Sequence, residues 1–283
     1  MAISRGPRRV LRRLVLVYAA ASAIVGCGRS EPVATPYDVL PIEMRTPEQF
    51  RAEAEVFEIR LARLHFEMDQ PDAMERIREM MGAVESAQRS WRRVAGHFAL
   101  GFGEPPFPLT NAYRRARDHW VQSVSKVSEG MNEVLRYVSE NRMPDALNSM
   151  YDTRVALDEL WFKAGFTRPE IRSFKLIGLL SAAREIPPGR RASIAQTLDA
   201  DMAKGMRYLA EDTMAGITVK EIAVGRMLVL ARIQSAVNRG RDTIRMQGSA
   251  DRFPGCCDQA IGFVRELEKV IEPVEKDLSG RRD

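Results

Sequence analysis

Cysteine is scarce in this sequence: three residues in 283, too few and too unevenly placed for a disulfide framework. Cys27 stands alone near the N-terminus, whereas Cys256 and Cys257 are adjacent near the other end. A chain of this length can bury enough apolar surface to fold without covalent cross-links. We therefore expect a hydrophobic core, and not disulfides, to stabilise the fold.

The common motifs of catalysis and cofactor binding are also missing. The sequence contains no Gly-x-Ser-x-Gly, no Gly-x-x-x-x-Gly-Lys-Ser/Thr, no His-Glu-x-x-His and no Cys-x-x-Cys-His. His65, His97 and His119 fall on three different predicted helices, and none follows a glutamate by three residues, as ligands of di-iron bundles do. We therefore predict no catalytic residue and no cofactor, and leave an enzyme of unfamiliar type as the less favoured possibility.

The apolar run near the N-terminus is too short to span a bilayer. Leu14 to Gly26 covers thirteen uncharged residues, and a helix of that length reaches only ~20 Å across a hydrocarbon core of ~30 Å. Five arginines and no acidic residue precede the run. A basic start, a short apolar segment and small residues at its end indicate a secretory signal peptide.

The end of this segment is more specific. Ile24-Val25-Gly26-Cys27 resembles the lipobox of bacterial lipoproteins, in which the cysteine is acylated and the peptide is cut before it. The resemblance implies that residues 1–26 are removed and that Cys27 becomes a lipidated N-terminus held at a membrane of the cell envelope. Gly28 is not the aspartate that retains many such proteins at the inner membrane, which favours the periplasmic face of the outer membrane in a Gram-negative cell.

Charge of one sign is not in excess once the signal peptide is removed. The full chain has 43 basic and 38 acidic residues, and loss of the five N-terminal arginines leaves 38 of each. The high isoelectric point of about 9.3 therefore reports mainly the signal peptide. The mature chain offers no overall basicity that would favour nucleic-acid binding. Residues 27–45, with Pro32, Pro36 and Pro41, form a predicted tether behind the lipid.

Residues 46–283 show helical periodicity throughout, with no stretch of the alternation typical of strands. We predict an all-α bundle of about eight helices with antiparallel hairpins. Residues 165–167 could divide two four-helix units, and a single merged bundle is an equal alternative. The predicted helices run from Thr46 to about Met68, Asp72 to Phe98, Thr110 to Val138, Pro144 to Gly165, Thr167 to Arg184, Ser193 to Glu211, Thr218 to Met246, and from a break at Pro254-Gly255 to about Leu278.

Two finer predictions concern packing. Residues 222–233 are apolar on nearly every side, which is typical of a helix at the centre of a fold. Gln88 and Arg154 fall near apolar stripes, where a polar side chain more often sets the register between helices or extends to solvent than performs catalysis.

Cys256 and Cys257 allow several interpretations. They could form a strained vicinal disulfide, a cross-link to a partner, a soft-metal site or two buried thiols. Buried thiols are the favoured interpretation, so we predict no metal site and retain the two cysteines only as low-ranking candidates.

Together these features favour a lipid-anchored, non-enzymatic interaction or scaffold module of the bacterial envelope. Its expected partners are the membrane, through Cys27, and another envelope protein. The alternative is a periplasmic carrier of a small ligand, a metal or a haem between helices.

Overall fold

The computed structural model describes residues 47–97, 117–163, 166–217, 219–246 and 250–279. The predicted signal peptide, Cys27 and the tether lie outside these residues. Within them the chain forms helices and no strand, which confirms the predicted all-α, multi-helix fold. Among the described helices, none combines the length and the apolar character needed to cross a bilayer.

Nine α-helices occur in the described residues, two of them introduced by a short 3-10 segment, Ala73–Arg76 and Ala250–Arg252. In chain order they are α1 (Pro47–Met68), α2 (Ile77–Gly96), α3 (Arg117–Ser139), α4 (Met143–Lys163), α5 (Arg168–Glu185), α6 (Pro188–Ser193), α7 (Ala195–Met214), α8 (Lys220–Arg245) and α9 (Phe253–Ser279).

Local sequence signals explain where several helices begin. The predicted capping box at Thr167 and Glu170 is confirmed: the Thr167 hydroxyl accepts from the Glu170 amide, and the Glu170 carboxylate accepts from the Thr167 amide at 2.9 Å. The predicted break at Pro254-Gly255 is wrong, because α9 already begins at Phe253. Pro254 lies in the first turn, where its missing N–H removes no helical hydrogen bond.

The helices pack as neighbouring pairs. α1 packs on α2, α3 on α4, and α8 on α9. Between α3 and α4 the chain reverses within three residues, and Asn141 there adopts a left-handed conformation with φ of 59°. Asparagine tolerates this region better than most residues with a β-carbon. A reversal this short makes α3 and α4 an antiparallel hairpin, as predicted for the bundle.

Two clusters of buried side chains form the core. The first is built mainly by α1 to α4 and contains Phe57 and Trp161. The second is built mainly by α5, α7, α8 and α9 and contains Leu198 and Cys257. α1 and α5 contribute to both clusters and pack on each other. These two helices therefore connect the parts of the chain on either side of residues 165–167.

The contact between α1 and α5 depends on a glycine. A β-carbon at Gly178 of α5 would lie 2.9 Å from the main-chain carbonyl carbon of Glu58 in α1. Glycine therefore lets the two backbones approach closely. The Glu58 side chain is 1 % exposed, and its Oε1 accepts a hydrogen bond of 3.1 Å from the indole N–H of Trp161. The centre of the fold thus places a carboxyl group next to the closest contact between these two helices.

Candidate functional site

A groove with a volume of about 310 Å³ lies over α5, with α4 on one side and α7 on the other. We call it the α4–α7 groove. Its deepest side chains are Leu176 and Leu179 of α5, both buried. Gly205 of α7 also lines it, and a β-carbon there would lie 3.3 Å from Leu176, so α7 packs tightly against α5 at this point. The polar and aromatic lining residues are His65, Tyr151, Arg154, Asp158, Arg172, Lys175, Asp201, Lys204 and Tyr208.

Part of the charge in the α4–α7 groove is internally compensated. Lys175 pairs with Asp158. Arg172 lies 2.7 Å from Asp212 and 3.8 Å from Asp158. These pairs hold α5 against both α4 and α7, since Asp158 belongs to α4 and Asp212 to α7.

Two cations in the groove have no such partner. Arg154 projects from α4 and Lys204 from α7, and within the described part of the chain no carboxylate lies within ion-pair distance of either. Leaving His65 aside, the lining contains two arginines and two lysines but only two aspartates. The groove therefore has an excess of positive charge, although residues 27–283 as a whole carry 38 basic and 38 acidic residues.

Aromatic and aliphatic surface is exposed in the same groove. Tyr151 is 64 % exposed and Val155 is 46 % exposed, one turn apart on α4. On the opposite side, Tyr208 is flanked by cations: Arg172 lies 5.0 Å and Lys204 5.9 Å from its ring centroid. The α4 wall therefore exposes aromatic and aliphatic surface beside Arg154, and the α7 wall combines an aromatic ring with positive charge.

The lining of the groove suits binding, because it combines cations, aromatic rings and aliphatic side chains. Its lining residues include no serine, threonine or cysteine that could act as a nucleophile. His65 contacts Asp201 at 3.3 Å, but no third group of the lining extends this pair into a catalytic arrangement. A ligand in this groove would be held by charge, hydrogen bonds and apolar contact.

The two cysteines singled out from the sequence lie elsewhere, near the start of α9, and both are free thiols. Cys257 is 1 % exposed and belongs to the second core. Burial raises the pKa of its thiol to about 12, and the neighbouring Cys256 and Asp258 add to the rise. The described residues contain no group of three or more His, Cys, Asp or Glu side chains arranged to hold a metal ion.

The histidines do not converge. His65 lines the groove, whereas His97, at 1 % exposure, ends α2 and contacts Glu53 at 3.0 Å. Burial alone would raise the pKa of Glu53, but hydrogen bonds from His97 and Gln49 outweigh it and lower the pKa below its usual value. The ring of His97 also packs edge-on against Phe50, with centroids 5.2 Å apart. This arrangement ties α1 to the end of α2. His119 lies in α3, in a stretch where side chains are not described.

A second surface differs from what the sequence predicts. The N-terminal half of α8 is not central: Val224, Met227 and Leu228 are 48 %, 57 % and 64 % exposed. Ala231 is exposed on the same side one turn later. Spacings of three and four place these residues on one helix face, which we call the α8 face. The opposite side of α8 enters the second core through Leu230 and Ile233. Because the second core covers only one side of α8, the apolar side chains on its other side remain exposed.

The two polar residues near apolar stripes have different roles. Gln88 is almost buried and donates hydrogen bonds to the Met131 carbonyl oxygen at 3.3 Å and to Asn132 Oδ1 at 3.0 Å. It therefore sets the register of α2 on α3, as one of the two interpretations from sequence predicted. Arg154 instead extends into the α4–α7 groove. The excess of cations in the groove was missed from sequence, because its residues are distant in the chain and resemble ordinary surface charges.

Comparison of the chain with protein-family models, with curated proteins and with solved structures finds no significant match.

Proposed function

We propose that this chain is a bacterial lipoprotein whose helical body acts by binding another protein of the envelope. Cys27 provides the membrane anchor, because the lipobox resemblance places it at the cleavage site behind a short apolar run. The body stands away from the membrane on residues 27–45 and acts without catalysing a reaction.

The observation that carries the binding function is the α8 face. Three large apolar side chains at helical spacing are each about half exposed or more. Surfaces of this kind on otherwise soluble folds mark sites of protein association. The exposed face of α8 carries no charged side chain from Val224 through Ala231. The partner surface that complements it is therefore an uncharged stripe on an amphipathic helix, which would pack ridges into the grooves around Leu228.

Site-specific photo-crosslinking in the native cell tests this function. A photoreactive residue at position 228 is expected to form a cross-link that maps to an uncharged helical stripe of one partner, and Met227→Glu is expected to abolish it. A photoreactive residue at Met74, which is 52 % exposed on the 3-10 segment before α2, is the matched control. Cross-linking of position 228 to a second copy of the chain, or equal labelling from both positions, would contradict the proposal.

The anchor needs a separate test. Cys27→Ser is expected to abolish metabolic fatty-acid labelling and to move the protein from the membrane fraction to the soluble fraction. Continued labelling of the variant would place the lipid elsewhere.

A second candidate function is carriage of a small ligand, and the α4–α7 groove favours it. The lining residues include one histidine and no cysteine or methionine, a poor set of ligands for a soft metal or a haem iron. The groove therefore favours an organic ligand over a metal.

A further inference from the structure

We propose that the α4–α7 groove binds an anionic amphiphile: a phosphate or carboxylate group held between Arg154 and Lys204 and joined to a short apolar chain. This inference rests on the carrier function, the second of the two functions proposed above, and specifies the chemistry of its ligand.

The charge of the ligand follows from which cations are already paired. Asp158 and Asp212 neutralise Lys175 and Arg172. Arg154 and Lys204 have no carboxylate partner among the described residues, although both line the same groove. Because both cations line this one groove, an anion placed between them would be attracted by both. A phosphate or carboxylate suits these donors, because Arg can hold two of its oxygens at once and Lys contributes a point charge.

The position of the two cations selects a bridging ligand. Arg154 belongs to α4 and Lys204 to α7, and these helices face one another across α5. An anion that contacts both would therefore span the groove from wall to wall. The Lys204 Nζ atom also lies 5.9 Å from the Tyr208 ring centroid. Contact with this ring holds the Lys204 side chain on the groove side of α7.

The apolar part of the ligand follows from the surface beside Arg154. Tyr151 and Val155 flank Arg154 on α4 and are 64 % and 46 % exposed. Leu176 and Leu179 lie beneath them at the bottom of the groove. A ligand that carried only an anion would leave this surface in water, whereas an attached alkyl chain would cover it. The volume of about 310 Å³ is at the small end of ligand sites, which limits the chain to a short one.

Isothermal titration calorimetry on the purified full chain tests the proposal with matched probes. Octyl phosphate and octanoate carry an anion and a chain, inorganic phosphate carries the anion alone, and octyl glucoside carries the chain with an uncharged head. At least one of the first two is expected to bind roughly tenfold more tightly than either of the last two, because charge-assisted hydrogen bonds and apolar burial add.

Variants assign the binding to the groove. Arg154→Ala and Lys204→Ala are each expected to weaken binding of the anionic amphiphile about tenfold. Tyr151→Ser is expected to weaken binding of the anionic amphiphile. It should leave the weak binding of inorganic phosphate unchanged, because phosphate does not contact the apolar surface. Lys220→Ala, an exposed lysine at the start of α8, is the control and is expected to bind like the original chain. Circular dichroism checks that every variant is folded.

Three outcomes would overturn the inference. Binding that is equal in the original chain, Arg154→Ala and Lys204→Ala would place the amphiphile outside the groove. Inorganic phosphate that binds as tightly as octyl phosphate would remove the apolar component. If octyl glucoside bound as tightly as octyl phosphate, and Tyr151→Ser weakened that binding, the groove would still bind an apolar ligand. The requirement for an anionic group would then be excluded.

Discussion

At the scale of single residues, the adjacent cysteines have unequal environments. Cys257 is buried in the second core and its thiol pKa is raised to about 12, so the thiol is protonated at neutral pH. Cys256 is only partly covered. Because the thiolate is the reactive form, burial protects Cys257 both by excluding reagents and by keeping its proton.

We expect alkylation by iodoacetamide at pH 8 to modify Cys256 in the native chain and to leave Cys257 unmodified. In Cys256→Ser, labelling of Cys257 should slow to the rate at which the second core opens, and urea should restore it. Tandem mass spectrometry identifies the modified residue. Equal labelling of both cysteines before unfolding would contradict the assigned burial.

Glu268 on α9 is a second residue whose environment opposes its charge. Burial raises its pKa to about 7; Arg51 opposes the rise, and Glu55 and Glu170 add to it. Its Oε1 is buried and has no hydrogen-bond partner among the described residues. The folded chain therefore holds a proton on Glu268 between about pH 4.5 and pH 7, where the unfolded chain has lost it. This residue makes the folded state less stable as pH rises through that range.

Glu268→Gln removes this ionisation while keeping the shape of the side chain. Below pH 4.5 the variant and the original chain should have the same free energy of unfolding. Above pH 7.5 the free energy of unfolding of the variant should be higher by ~1–3 kcal/mol. Urea unfolding across this range measures the difference. Glu85→Gln, at an exposed position of α2, is the control, and it should change the free energy of unfolding by less than about 0.5 kcal/mol at every pH. An advantage for Glu268→Gln that does not change with pH would refute the assigned ionisation.

At the scale of helices, the fold depends on how closely α1 approaches α5. Gly178 faces the main chain of Glu58, which cannot move aside as a flexible side chain could. Gly82, on the exposed side of α2, has nothing within 4 Å of the position where a β-carbon would lie. The two glycines provide a matched comparison of the same substitution with and without a packing constraint.

We predict opposite effects for the two changes. Gly178→Ala should lower the free energy of unfolding by about 1–3 kcal/mol, because the added methyl forces the helices apart. Gly82→Ala should raise it by roughly 0.5–1 kcal/mol, because alanine loses less backbone freedom in a helix. Urea unfolding midpoints distinguish them. Similar midpoints for both variants would show that α1 and α5 are not in tight contact at Gly178.

Most helices could be predicted from the sequence, because apolar spacing and helix-start signals are local. The Thr167–Glu170 capping box needs only four residues, and it forms as predicted. The break at Pro254-Gly255 was wrong because proline is compatible both with a break and with a first helical turn. The central position expected for α8 was wrong because composition does not tell whether an apolar helix is covered on all sides or on one.

The candidate groove could not be predicted in the same way. Arg154, Lys175 and Lys204 come from three helices, and each resembles a solvent-exposed charge in its own segment. Only the packing of α4 and α7 on α5 decides that Lys175 has a carboxylate partner while Arg154 and Lys204 have none among the described residues. Charge pairing between helices is a tertiary property, and it therefore needs the fold.

At the scale of the whole molecule, two core clusters share α1 and α5. Phe57 and Phe66 belong to α1 but enter different clusters, and Phe174 and Leu180 divide α5 in the same way. A helix that unfolds removes side chains from both clusters at once. The energetic consequence is coupling: loss of packing in one cluster should also destabilise the other.

This coupling predicts a single unfolding transition seen by probes in both cores. Trp91 and Trp161 lie in the first core, so their fluorescence in a Trp120→Phe background reports its loss. Cys257 lies in the second core, and its accessibility to a thiol reagent in a Cys27→Ser, Cys256→Ser background reports that core. The urea midpoints of the two signals should coincide, because neither core can lose α1 or α5 alone.

A cavity in the second core provides the decisive variant. Leu198 is fully buried in the second core, and Leu198→Ala should lower the free energy of unfolding by ~2–5 kcal/mol. Both midpoints should fall together, by an amount on the order of 1 M urea, although the tryptophans are in the other core. If only the Cys257 signal moved, the two cores would unfold independently, and the shared helices would serve as a connection between separate units.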